Sequence, residues 1–130
     1  MTHLVPIRGG ELPHRLVLVR EGVNTLTDAA LEQACQRSHE LMGIRGFSVL
    51  EPPRGGFEAL ARLRPLLRVR RNVRTADGHS VVAAGFVLLP TWDYPHWSVI
   101  VPEPEPRQFA RIRALFSTPI PNPTYQPRRS

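Results

Sequence analysis

His96 and a short series of arginines are the residues in this chain whose types and spacing could do chemistry. An imidazole titrates near neutral pH and can take the proton of a ribose 2′-hydroxyl, while a guanidinium can hold the charge that develops on phosphorus oxygens. Arg68, Arg70 and Arg74 fall at even spacings, with Asn72 between them. In an extended strand those four side chains point to one face. The row suits phosphates or carboxylates, because the planar guanidinium fork donates two parallel hydrogen bonds. His96 and Arg70 are therefore the candidate catalytic residues, and Arg68, Arg70, Asn72 and Arg74 the candidate nucleic-acid row.

Two further groups extend that row. Trp92 and Tyr94 stand in a proline-bounded link, and exposed aromatics beside basic residues stack unpaired bases. Arg107 and Arg111 are one helical turn apart and add charge to an outer helix face. Other chemistries find less footing. There is one cysteine, Cys35, and no histidine pair at metal-ligand spacing, so neither a disulfide nor a metal centre is expected. The Gly55-Gly56 pair ahead of an apolar run matches no nucleotide-binding fingerprint, and no cofactor is expected. His96-Trp97-Ser98 has no second copy in the chain, which excludes a two-histidine phosphoesterase.

Composition agrees with an anionic partner. All 17 basic residues are arginine, and the formal net charge is +6. Net charge speaks to association rather than to fold, and heavy arginine use also follows from a GC-rich genome. The 14 prolines, about twice the average frequency, cluster between elements rather than filling one tract. With no apolar run near the ~20 residues of a membrane span and no secretory signal at the N-terminus, a cytoplasmic protein with no membrane partner is expected.

The elements that must position these residues read as a single α+β domain over 1–116, with 1–12 a loose lead-in and 117–130 a Pro/Arg-rich C-terminal tail, extended and partly mobile. Strands are expected near 15–20 and 46–50. Thr25 and Thr27 both offer N-caps, with Asp28 in the first turn, for a helix whose apolar residues recur through Leu41 and Met42, with Gly43 as its stop. That helix makes Cys35 a buried small residue. Shorter helices follow over 57–64, ended by Pro65, and over 107–116, with Phe109, Ile112 and Phe116 inward. Between them Asp77-Gly78 separates two β-prone runs, the signal of a type I′ hairpin over 67–89. With a third strand over 96–101 this gives a three-stranded antiparallel meander over 67–101. The sheet is packed by about three helices, with the arginine row on the face away from them.

Helices followed by a basic antiparallel meander resemble, in arrangement only, several small RNA-acting bacterial proteins, ribosome-dependent ribonuclease toxins among them, and the RNA expectation rests on the arginine row. The expected function is a small basic RNA-binding protein, in its sharpest form the RNA-targeting toxin of a bacterial toxin–antitoxin pair. If enzymatic, it is a metal-independent ribonuclease. The alternative is a non-enzymatic interaction module that docks an acidic protein, such as an antitoxin, on its arginine face.

Overall fold

The computed structural model of the protein describes residues 12, 13 and 15–127. The expected lead-in, apart from Leu12, lies outside them, as do His3 and His14. Among the described residues six strands form one antiparallel sheet: β1 (Val17–Glu21), β2 (Gly46–Leu50), β3 (Asn72–Asp77), β4 (Val87–Leu89), β5 (His96–Ile100) and β6 (Ile120–Pro121). Their order across the sheet is β4-β5-β2-β1-β3-β6. Four helices accompany them: α1 (Asp28–Met42), α2 (Gly56–Leu63), α3 (Gly78–Ala83) and α4 (Pro106–Leu115). This is an α+β domain, and no helix among the described residues is long and apolar enough to cross a membrane.

The sheet consists of two halves. Continuous ladders join β2 to β5, from Gly46 opposite Ile100 to Leu50 opposite His96, and β1 to β3, from Val17 opposite Asp77 to Glu21 opposite Val73. Between the halves, β1 and β2 pair at one position, Val19 opposite Leu50. Beyond that pair the two strands diverge, and their backbone groups need other partners.

Alternation along the strands buries both faces. Leu16, Leu18, Phe47, Val49, Trp97 and Val99 face α1, α3 and α4, where they meet Leu31, Cys35, Val81, Phe109 and Ile112. Val19, Leu50 and Val73 face the other way and pack on Leu60 and Ala61 of α2 and on Leu67. Helix α1 forms as its sequence dictates. Thr27 Oγ1 accepts from the Ala30 amide at 3.2 Å, and Gly43, at φ 74°, returns its amide to the His39 carbonyl. Its buried positions, Leu31, Cys35, Ser38 and Met42, are one helical stripe.

The expected 67–89 hairpin does not form, and of the meander over 67–101 the pairing of its last two strands, β4 with β5, is what is present. Residues Pro65–Val69 make a 3-10 helix, with Pro65 at its first position, where a missing amide costs nothing. Asp77 is the N-cap of α3: its Oδ2 accepts from the Ser80 amide at 3.2 Å and hydroxyl at 2.8 Å. Gly78 is required for proximity rather than for a positive φ. Its amide donates to the Leu16 carbonyl at 2.7 Å, and a Cβ there would lie 2.7 Å from Leu16 Cδ2. The two runs on either side of Asp77-Gly78 pair with other strands, β3 with β1 and β6, and β4 with β5. The arrangement that resembled the ribonuclease toxins is therefore not present.

The segment expected to be an extended, partly mobile tail is docked as far as Gln126. Ile120 and Pro121 pair with β3, and buried Asn122 donates through Nδ2 to the Leu67 and Arg70 carbonyls, each at 2.8 Å. Its Oδ1 accepts from the Thr124 amide and hydroxyl. Gln126 adds an amide bond to the Arg68 carbonyl. Residues 117–126 thus clamp the 3-10 helix against the sheet.

Candidate anion-binding cleft

Where β1 and β2 diverge, Arg20 occupies the gap. Its Nη1 donates to the Ser48 carbonyl at 2.8 Å, its Nη2 to the Thr25 carbonyl at 3.3 Å, and its guanidinium lies over the Phe47 ring. Burial lowers the Arg20 pKa from its ordinary value, an effect opposed by the charge of Glu21. A guanidinium is placed here because the separated strands leave carbonyls that only a long, multiply donating side chain reaches.

Beside Arg20 a cleft of about 490 Å³ opens between the sheet and the α2/3-10 segment. One wall carries Arg20, Glu21, Thr25 and Ser48, and His96 stands at the start of β5. The opposite wall is Leu63, Arg64, Pro65 and Leu66, and Arg70 closes one side. Three guanidinium groups and one carboxylate therefore line it. The Arg70–Glu21 ion pair is long, with Nε 3.6 Å from Oε2, and half of the Arg70 side chain faces solvent.

Among the described residues, three buried side-chain polar atoms have no hydrogen-bond partner: Arg20 Nε, Arg64 Nε and Thr25 Oγ1. All three belong to residues that line this cleft. Each is a hydrogen-bond donor, and leaving a buried donor unsatisfied costs about 1–3 kcal/mol. Natural interiors hold few such atoms, and here they are concentrated on residues around one cleft.

His96 is held from behind. Its Nδ1 lies 2.9 Å from Thr91 Oγ1 and 3.2 Å from the Thr91 carbonyl, and Thr91 Oγ1 continues to buried Ser98 Oγ at 2.7 Å. The hydroxyl can donate to or accept from Nδ1 and the carbonyl only accepts, and together these contacts fix the orientation of the ring.

The structure brings two of the sequence-chosen residues, His96 and Arg70, to this cleft and disperses the rest. Arg68, on the 3-10 helix, pairs with Glu58 at 2.7 Å, which raises the Arg68 pKa and lowers that of Glu58 through their hydrogen bond. Arg74 is spent on backbone, donating to the Val23 and Ser117 carbonyls. Asn72 begins β3 opposite Pro121. The expected arginine row on one strand face is thus absent, because Arg68 and Arg70 precede the strand. Arg111 lies on α4, over the Phe86 ring and bonded to Gln108 and the Ala84 carbonyl; Arg107 is exposed at the start of that helix. Trp92 and Tyr94 are exposed in the β4–β5 link.

Arg20 and Arg64 were missed by sequence reasoning. Arg20 closes an apolar run, and Arg64 precedes a proline at a helix end. Both are ordinary places for a surface arginine. What makes them a site is the gap between β1 and β2, a tertiary feature with no local signal.

No family model, curated protein or solved structure matches this chain. The cleft's own chemistry is therefore what a functional reading rests on.

Proposed function

We propose that the chain is a small RNA-binding protein whose cleft takes a backbone phosphate and its attached nucleotide from a single strand. The observation that carries this reading is the set of three unsatisfied donors, Arg20 Nε, Arg64 Nε and Thr25 Oγ1, on residues lining one cleft. Phosphate oxygens accept several hydrogen bonds at once and match a guanidinium fork. Leu63, Pro65 and Leu66 supply an apolar wall opposite, suited to a sugar or base rather than to a free inorganic ion. A volume of about 490 Å³ accommodates one nucleotide unit, not a duplex. The formal charge of +6 favours encounter with a polyanion.

An acidic protein partner fits less well. That reading needed a flat arginine face, and Arg68 and Arg74 are committed to Glu58 and to backbone carbonyls. Fluorescence anisotropy with a single-stranded RNA decamer and with an acidic peptide of equal charge, at low salt, separates the two. The expected result is binding of RNA in preference to the peptide, weakened at least tenfold in Arg64→Gln. Equal binding of both, unaffected by Arg64→Gln, overturns the proposal.

The position of His96 favours a catalytic form of the same reading. In this form His96, held at Nδ1 by Thr91, is the residue that takes the 2′-hydroxyl proton. The 2′-oxygen then bonds to phosphorus, the bond from phosphorus to the 5′-oxygen breaks, that oxygen takes a proton from a solvent water as it leaves, and His96 returns its proton to solvent. The products are a 2′,3′-cyclic phosphate and a 5′-hydroxyl, with Arg70 stabilising the charged phosphorane. Analysis of the RNA ends after incubation tests this step: cyclic phosphate is expected from the wild type and not from His96→Gln, which still binds RNA. Intact RNA after prolonged incubation with the wild type leaves a binding protein only.

A further inference from the structure

Ser48 lines more than the candidate anion cleft. The same residue lines a second, smaller recess of about 110 Å³, formed with Arg37 and Leu41 of α1, Ser98 of β5 and Trp92 of the β4–β5 link. The recess is too small to enclose a nucleotide, but its outer boundary is an indole 44 % exposed to solvent. Trp92 also stands at φ 55°, a backbone conformation that bulky side chains rarely adopt. Thr91 holds the chain there: it is fully buried and bonded to Ser98 and His96. Strain of this kind persists where the surrounding structure over-determines it and clusters at ligand-binding positions.

We propose that Trp92 is a stacking platform for a nucleobase next to the nucleotide held in the cleft, with Arg37 beside it for the intervening phosphate. The inference rests on the RNA reading above and adds a second subsite to it. Sequence-tolerant recognition of single strands combines these parts, a basic groove for the backbone and an aromatic face for successive bases. The recess and the cleft adjoin at Ser48, so one strand can occupy both.

Tryptophan fluorescence tests it, because Trp97 is buried at 5 % exposure and Trp92 is the indole that a base can reach. Titrating the wild type with the single-stranded RNA decamer is expected to quench emission, and Trp92→Phe is expected to abolish the quench while keeping affinity within about threefold. Trp92→Ala is expected to lose about tenfold to hundredfold, the fold-change corresponding to one base–aromatic stack. RNA binding that needs Arg64 but shows no quench, with Trp92→Ala within twofold of wild type, overturns the stacking subsite and leaves the cleft standing. No binding of RNA by the wild type at low salt overturns both.

Discussion

Arg20 Nη1 donates to the Ser48 carbonyl at 2.8 Å across the place where β1 and β2 cease to pair. One side chain thereby substitutes for missing ladder bonds and at the same time lines the cleft that their absence creates. The bond is charge-assisted, and removing it strands a carbonyl. Part of that loss is offset, because a buried guanidinium with an unsatisfied Nε is itself unfavourable. Arg20→Ala is expected to lower stability by about 2 kcal/mol in urea denaturation. Arg20→Lys does not restore it, since one ammonium cannot reach the Ser48 and Thr25 carbonyls in the fork geometry.

Asn122 provides the corresponding support for the other wall. Its amide caps the Leu67 and Arg70 carbonyls at 2.8 Å each, next to Arg64, Pro65 and Leu66 of the cleft. Asn122→Ala takes a donor from the Arg70 carbonyl and one of two from the Leu67 carbonyl, which keeps the Arg70 amide, and removes the acceptor of the Thr124 amide, for an expected loss of about 2–4 kcal/mol by denaturant titration. Because the 3-10 helix is released, hydrogen exchange at Leu67 and Arg70 amides is expected to accelerate more than exchange in α1.

Thr27, at the N-terminus of α1, lines neither the cleft nor the recess and gives a control. Thr27→Ala removes the N-cap acceptor for the Ala30 amide and is expected to cost about 1 kcal/mol, read as a lowered Tm with RNA affinity unchanged. A change in affinity as large as that of Arg64→Gln would show that the Thr27 cap itself takes part in the site.

Cys35 supplies a pH-dependent test. Burial pushes its thiol up to about 11 from 9.0, partly opposed by Arg20 and Arg45. The native thiol therefore stays protonated and is expected to resist a disulfide reagent at pH 8 until denaturant is added. The folded state holds this proton more tightly than the unfolded one. Its contribution to stability is full below about pH 9 and is lost as pH rises toward about 11. Cys35→Ala is expected to flatten that alkaline decline.

Much of the fold is legible in the sequence because its signals are local. Thr27 and Gly43 bracket α1, Phe109 and Ile112 mark the inner face of α4, and the apolar runs near 15–20, 46–50 and 96–101 are β1, β2 and β5. Asp77-Gly78 misleads because one dipeptide serves two local structures. Ser80, three residues beyond Asp77, makes it a helix cap, and Leu16 selects glycine at position 78 by proximity. Alternation does not arbitrate, since Val81 and Val82 are one buried and one exposed in either case. The site is half legible. His96 and Arg70 can be chosen by type, but Arg20, Arg64 and Thr25 become a site only through the gap between β1 and β2.

The decisive measurement is the salt dependence of RNA binding. Removing one guanidinium that neutralises a phosphate of a single strand reduces the slope of log affinity against log salt by about 0.7. The wild type is expected to bind the RNA decamer at low salt, with the slope reduced by about that amount in Arg64→Gln and again in Arg70→Ala. Arg107→Ala, on α4, is expected to leave the slope unchanged. A wild-type chain with no RNA affinity at low salt would contradict the RNA-binding cleft, as would a slope insensitive to Arg64 and Arg70 but reduced by Arg107→Ala.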